Sequence, residues 1–182
     1  KDFGESRITI KNTSMVNLSP EDSIRASKES KIIRDALQTF STRYKSNLNF
    51  SNPVEGIISS RYGKKRFINE SPRSPHLALD IAAPEGTKVI APEEGKVILV
   101  GDFFYSGNYL ILDHGYGLLS SYSHLSKINV SMNQLIEKGQ KIGEVGSTGR
   151  VTGPHLHWSV YLDNTRINPE SIIKDNFLES IL

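Results

Sequence analysis

The sequence predicts a mainly β, antiparallel domain with an N-terminal helical appendage and a short C-terminal helix. Helix-spaced apolar residues are confined to roughly the first fifty positions, whereas from Pro53 onward short β-branched runs are punctuated by glycine turns. Those runs have the length of strands, and their turns recur at the spacing of an antiparallel sheet.

Arg7 to Lys11 alternates polar and apolar side chains and reads as a short strand. A helix start follows: Ser19 as N-cap, Pro20 at the first helical position, and Glu21 and Asp22 against the positive end of the helix dipole. Ile33, Ala36, Leu37 and Phe40 fall on one stripe, joined by Ile24 from the first turns, which predicts a packed helix face. Ser41 to Asn52 is a polar connector. The boundary is therefore expected near Phe50, with residues 1–50 an accessory segment, such as the tail of a larger upstream region, and residues 51–182 the main domain.

Within that domain, strands are expected at Gly56 to Gly63, His76 to Ile81, Lys88 to Ala91, Lys96 to Val100, Tyr109 to Asp113, Leu118 to Ser123 and His155 to Leu162. The Asp163-Asn164 turn leads to another short strand, and Pro169 opens the terminal helix. Lys64 to Ser74 reads as a long polar loop beside His76, placed to shape access to it.

With 182 residues the chain can bury one real core, and 22 basic against 20 acidic residues leave a formal charge of +2, which demands no nucleic-acid partner. Cysteine is absent. Disulfides and thiolate metal sites are thereby excluded, so any metal must use histidine and carboxylate. No apolar run approaches the ~20 residues of a membrane span, and no signal peptide is visible. The chain opens on Lys1 rather than methionine, as a processed or a trimmed chain does.

Chemistry concentrates on the histidines. His155 and His157 lie one residue apart in a strand, so they share a face while Leu156 and Trp158 take the other. His76 and Asp80 also share parity, over the small Ala78, and His124 is supplied by a third strand. Together they offer three nitrogen or oxygen ligands for a catalytic zinc, which keeps a fourth position open, and two histidines to spare. His114, beside a glycine turn, has no partner at fixed spacing and reads as structural. There is no HExxH glutamate to act as base, so that role falls to a histidine.

These segments resemble the lysostaphin-type, or LytM-like, zinc metallopeptidases of bacterial peptidoglycan. The resemblance runs from about Val54 to Pro169, through Ser60-Arg61-Tyr62-Gly63, His76 to Asp80, the Ala83 to Thr87 and Ala91 to Gly95 turns, Tyr122 to Leu125, Lys138-Gly139-Gln140 and Gly146 to Trp158. It implies a LytM-like fold, one zinc held by His76, Asp80 and His157, and His124 and His155 as the catalytic pair. It also implies hydrolysis of peptidoglycan peptides, favouring D-alanyl to diaminopimelate cross-links, in the periplasm or cell envelope. Ala78 departs from the family, which usually has glycine there. Arg73 is the candidate partner of a substrate carboxylate, against plain solvation on an exposed loop, and Tyr122, by parity with His124, is a candidate substrate-facing hydroxyl, with core packing as the alternative. Latent members of the family are blocked by an upstream residue; Asn69 could in principle occupy the open metal position in that way, and this reading is set aside. A further partner is expected in an upstream regulatory segment or a separate protein. The alternatives are a glycyl-glycine endopeptidase and a metal-free activator of amidases; the filled ligand set argues against the second. Biotinyl or lipoyl carriers need a lysine on a tight hairpin that this chain lacks, and a sugar phosphotransfer protein would need neither Asp80 nor a third ligand.

Overall fold

The structure is a computed structural model that describes residues 3–10, 17–42 and 49–173. Its elements run β1 (Glu5–Ile8), α1 (Pro20–Ala36), β2 (Ile57–Ser60), β3 (Lys65–Ile68), β4 (Ser71–Arg73), β5 (Leu79–Ala82), β6 (Lys88–Ile90) and β7 (Gly95–Phe103). They continue with β8 (Gly107–Asp113), β9 (Leu118–Ile128), β10 (Leu135–Ile136), β11 (Lys141–Val145), β12 (His155–Leu162), β13 (Thr165–Ile167) and a 3-10 turn (Pro169–Ser171). The expected mainly antiparallel β architecture is borne out. A ten-stranded sheet has the order β10-β7-β8-β9-β12-β5-β2, with β11 joining β6 to β9 and β13 flanking β12. No helix of the described residues is long and apolar enough to cross a membrane.

Alternation builds the core. Leu156, Trp158 and Val160 of β12, Tyr122 of β9, and Leu110 and Leu112 of β8 point to one side and are fully buried in a single cluster with Val89, Val97 and Ile142. Burying side chains of this size stabilises the fold by roughly 1.5–3 kcal/mol each. The opposite side of the same strands carries Ser121, Ser123, His157 and Ser159, and it faces a cleft.

The N-terminal residues pack onto the cleft side. Ser19 caps α1, accepting a hydrogen bond from the Asp22 amide at 3.0 Å, with Pro20 at the first helical position. Leu37, just past its end, is buried with Phe103, Tyr109, Ile111, Leu119 and Tyr161. The predicted stripe is only partly right: Ile33 and Ala36 pack against that cluster, but Ile24 and Phe40 are exposed. Phe40 instead meets Tyr116 edge-on.

Lys64 to Ser74 is not a loop. β3 and β4 form a hairpin whose two-residue turn, Asn69-Glu70, has positive φ at both positions, 47° and 61°. That is the turn geometry matching strand twist, and it usually announces itself as Asn-Gly. Glutamate in the second place, and strands with mostly exposed or half-buried side chains, hid the hairpin from a pattern-based reading. β1 pairs in parallel with β3, Glu5 to Lys65 through Ile8 to Ile68, to make a separate three-stranded sheet. Asn69 ties this sheet together: its side chain accepts from the Ile10 amide at 2.8 Å and donates to the Ile10 carbonyl at 3.2 Å. Both polar atoms of its side chain are thereby engaged by the Ile10 backbone.

Three boundaries also move. The first strand is Glu5–Ile8, and Lys11 lies outside the described residues. The strand expected from His76 begins only at Leu79, so His76 sits in the approach to β5, fixed by the amide of Gly63 donating to its carbonyl and its own amide donating to Lys64. At the C-terminus Pro169 opens a 3-10 turn capped by Asn168, and the rest of the expected helix lies beyond the described residues.

Candidate metal centre

His157 and Asp80 are directly opposed across the β12–β5 pairing, so their side chains meet on the cleft side. Asp80 Oδ1 lies 2.7 Å from His157 Nδ1 and 3.0 Å from His76 Nε2. The approach segment brings in His76, whose buried Nδ1 faces the Arg61 carbonyl at 3.1 Å and the Ser60 hydroxyl at 3.2 Å. Only an N–H satisfies a carbonyl, which leaves Nε2 as the lone-pair atom directed at Asp80. One potential ligand atom from each of the three residues lies within 4.8 Å of the other two. Ala78, fully buried beneath them, is accommodated.

The electrostatics suit a cation. Burial alone would push the Asp80 carboxyl upward, but the imidazoles of His157 and His76 set against it outweigh burial and hold the group well below the carboxylate range. Burial pushes His157 downward, against the pull of Asp80, so its imidazole is neutral at pH 7. Two imidazoles and an ionised carboxylate are the donor set of a three-ligand catalytic zinc, so the residues present fit that ion.

His124 reaches the same floor by a different route. Leu110 of β8 pairs with Tyr122, yet Asn108 pairs with Leu125, so β9 carries one extra residue there. His124 takes up the excess with φ 66°, a left-handed backbone where β9 leaves β12 and begins to pair with β11. The bulge reverses the alternation after Ser123. His124 therefore joins Ser121 and Ser123 in the cleft, while Tyr122 and Leu125 are buried behind.

This corrects the reading of Tyr122. It is fully buried, its hydroxyl bonded at 2.8 Å to Ser120, and cannot meet a substrate. Ser120 in turn bonds His114 Nε2 at 2.7 Å, and His114 Nδ1 donates to the Glu94 carbonyl at 2.6 Å. His114, also fully buried, is a satisfied core histidine pushed down by burial to about 4. The structural reading of that residue agrees with its surroundings.

His124 and His155 present their rings alike. Nδ1 of His124 donates to the Thr148 carbonyl at 2.9 Å, and Nδ1 of His155 to the Gly153 carbonyl at 2.8 Å. Each is left with Nε2 as a proton acceptor. Their ring centroids are 5.0 Å apart, and His124 is 5.8 Å from His157. Burial first, then the imidazoles of His157 and His155, push His124 down to about 3. Thr148 is itself clamped, its hydroxyl donating to the Leu125 carbonyl and accepting from the Asn108 amide, both at 2.9 Å. The clamp requires Gly107 and Gly149: a Cβ on the first would sit 2.2 Å from Thr148 Oγ1, and one on the second 2.4 Å from the Gly107 nitrogen.

The cleft measures about 560 Å³, and its lining includes residues no sequence motif marked. Arg66 of β3 and Arg150 line it, as do Ile8, Ile10 and Ile33 from the N-terminal segment. Arg73 does not; it is exposed on β4. Arg66 pairs in register with Arg73, so an alternation argument for the hairpin would have exposed the choice had the hairpin been recognised.

The model of peptidase family M23 matches residues 74–169. A peptidoglycan DD-endopeptidase of Vibrio cholerae, ShyA, is 38% identical over 137 residues, which cover 74% of this chain and 30% of that one. The DD-carboxypeptidase/endopeptidase Mpg of Neisseria meningitidis is 34% identical over 128 residues, 70% of this chain and 30% of that protein. Among solved structures, one assigned to peptidase M23 from Pseudomonas aeruginosa has a TM-score of 0.75 at 43% identity, covering 85% of this chain and 63% of that one. Lysostaphin of Staphylococcus simulans has a TM-score of 0.59 at 28% identity, covering 71% and 55%. The chain spans between about a fifth and a third of the length of the first curated relatives it matches. The matched segment contains His76, Asp80, His124, His155 and His157, and on that match this chain belongs to peptidase family M23.

Proposed function

We propose that this chain is a zinc-dependent endopeptidase domain that cleaves peptide cross-links of bacterial peptidoglycan, acting in the periplasm or cell envelope. One observation carries the reading: His76, Asp80 and His157 converge on one face of the sheet, with two further histidines beside them whose Nε2 atoms are left open. Support comes from relatives named as peptidoglycan DD-endopeptidases. His76, Asp80 and His157 would hold the zinc, which would supply Lewis acidity toward a water and the scissile carbonyl.

The chain's own residues do the rest. His124 and His155, with Nδ1 tied to backbone carbonyls, each offer Nε2 to accept a proton; once protonated, either becomes a donor to the developing oxyanion or the leaving amine. Tying Nδ1 down removes ring rotation that would otherwise be lost on reaction. The filled donor set disfavours a metal-free activator, since such a protein has no use for an ionised aspartate set between two imidazoles.

The favoured bond is D-alanyl to diaminopimelate. A direct cross-link leaves free carboxylates around the scissile amide, and a cleft with more than one arginine suits them better than an uncharged glycine bridge. Digestion of purified walls of each kind, with fragments identified by mass spectrometry, tests the assignment. Monomeric muropeptides should appear from directly cross-linked wall; activity confined to pentaglycine would overturn the bond assignment, and no hydrolysis of either by zinc-loaded protein would overturn the enzyme reading.

A further inference from the structure

A direct cross-link and a glycine bridge differ next to the amide that is cut: in the first, the carbon bearing the leaving nitrogen also bears a free carboxylate, and in the second it bears the next peptide carbonyl. A cleft that selects the first needs a cation beside the metal residues that is not consumed by the fold. Of the described residues lining the cleft, Asp80 is the one carboxylate, against Arg66, Arg150 and Arg166. Two of these guanidinium groups are engaged. Arg150 lies over the Tyr105 ring at 4.2 Å, and Arg166 donates to the Tyr161 hydroxyl at 3.2 Å.

Arg66 is different. Its Nη2 approaches Asp80 Oδ2 no closer than 4.0 Å, beyond hydrogen-bond reach, and its Nε is buried with no hydrogen-bond partner. A buried guanidinium N–H without a protein acceptor is costly, and a carboxylate entering the cleft would supply one. The strand that carries it is held on both sides, Arg66 facing Ser6 of β1 and Arg73 of β4. β1 is further fixed to the hairpin by Arg7, which pairs with Glu70 at 2.5 Å and covers the Phe67 ring at 4.4 Å. The partly buried guanidinium is therefore presented from the braced central strand of that sheet, with less side-chain freedom left to lose on binding.

We propose that Arg66 is a specificity-determining residue, its guanidinium receiving the free carboxylate that an anionic cross-linked peptide carries on the leaving-amine side of the scissile bond. The planar fork matches a carboxylate in two parallel hydrogen bonds, and the partial burial beside Asp80 strengthens them. The inference takes its substrate class from the function proposed above, and it assigns to Arg66 the role that the sequence suggested for Arg73.

The test uses the zinc-loaded chain and paired muropeptides whose diaminopimelate carboxylate is free or amidated. Calorimetric binding is measured on the uncleaved monomers, cleavage on the cross-linked dimers, and zinc by elemental analysis. The unaltered protein should prefer the free carboxylate by about ten- to a hundredfold in Kd and KM. Arg66→Gln should lose that preference with zinc content unchanged, Arg66→Lys should keep part of it, and Arg73→Gln should keep all of it. Equal binding of both peptides by the unaltered protein, or a preference that survives Arg66→Gln, overturns the proposal. So does loss of zinc in Arg66→Gln, which would make the residue a support for Asp80. Hydrolysis of direct cross-links with no preference between the free and the amidated carboxylate would overturn this inference alone; cleavage confined to glycine bridges would overturn the cross-link assignment and this inference with it.

Discussion

The two faces of β9 and β12 treat histidine in opposite ways. On the core face His114 is enclosed by Phe50, Ser120 and the Glu94 carbonyl, and both of its ring nitrogens are satisfied by the protein. On the cleft face His124 and His155 each spend one nitrogen on a backbone carbonyl and leave the other open, while His76 and His157 converge on one carboxylate. The residue type is the same. A buried side chain whose polar atoms are all paired is structure, and one with an atom held open toward a cleft is available for chemistry.

The sharpest way to break this comparison is to remove the cleft-face donors. Asp80→Ala or His157→Ala should lower zinc from about one per chain to near none and abolish hydrolysis, because two ligands do not hold a catalytic ion. Elemental analysis beside an activity assay decides it, and wild-type zinc in both variants would dissolve the ligand set. Next in size, His124→Ala and His155→Ala should retain zinc and lose activity by roughly two to four orders of magnitude. Zinc loss in either would move that residue into the ligand set.

The core-face histidine should register in stability instead. His114 is held near 4 in the fold against its ordinary 6.5, so between those values the unfolded chain binds more protons than the folded one. Stability should therefore fall as pH drops from about 6.5 toward 4, by up to roughly 3 kcal/mol from this group, and gain nothing from it above 6.5. His114→Gln, which can offer a donor and an acceptor in the same place, should flatten part of that slope in thermal melts; an unchanged slope would contradict the neutral assignment. The smallest effect is expected at Tyr122→Phe. Losing the hydroxyl bonded to Ser120 should cost about 1 kcal/mol of stability and leave turnover within about twofold, and a large drop in kcat would return the side chain to the cleft.

Much of this site was written in local pattern. Alternation in Leu156, His157 and Trp158 needs nothing but an extended backbone, so the core side and the cleft side of β12 could be read directly. The Ser19-Pro20 helix start was equally local, because an N-cap is satisfied within its own first turn. The absence of cysteine fixed the kind of donor any metal would meet.

What the sequence could not decide depended on partners distant along the chain. His124 is aimed by one extra residue in β9, and that excess exists only relative to the register of β8 and the fork between β12 and β11. Parity within β9 alone put Tyr122 on its face, because a bulge is a mismatch between two strands and neither strand records it. The β3–β4 hairpin, and with it the choice of Arg66 over Arg73, rests on a turn without glycine braced by β1 from nearly sixty residues upstream. Local composition determined which groups this chain could bring to a site; long-range pairing decided which of them face it, since the free energy that selects a register comes from contacts that form only when the strands meet.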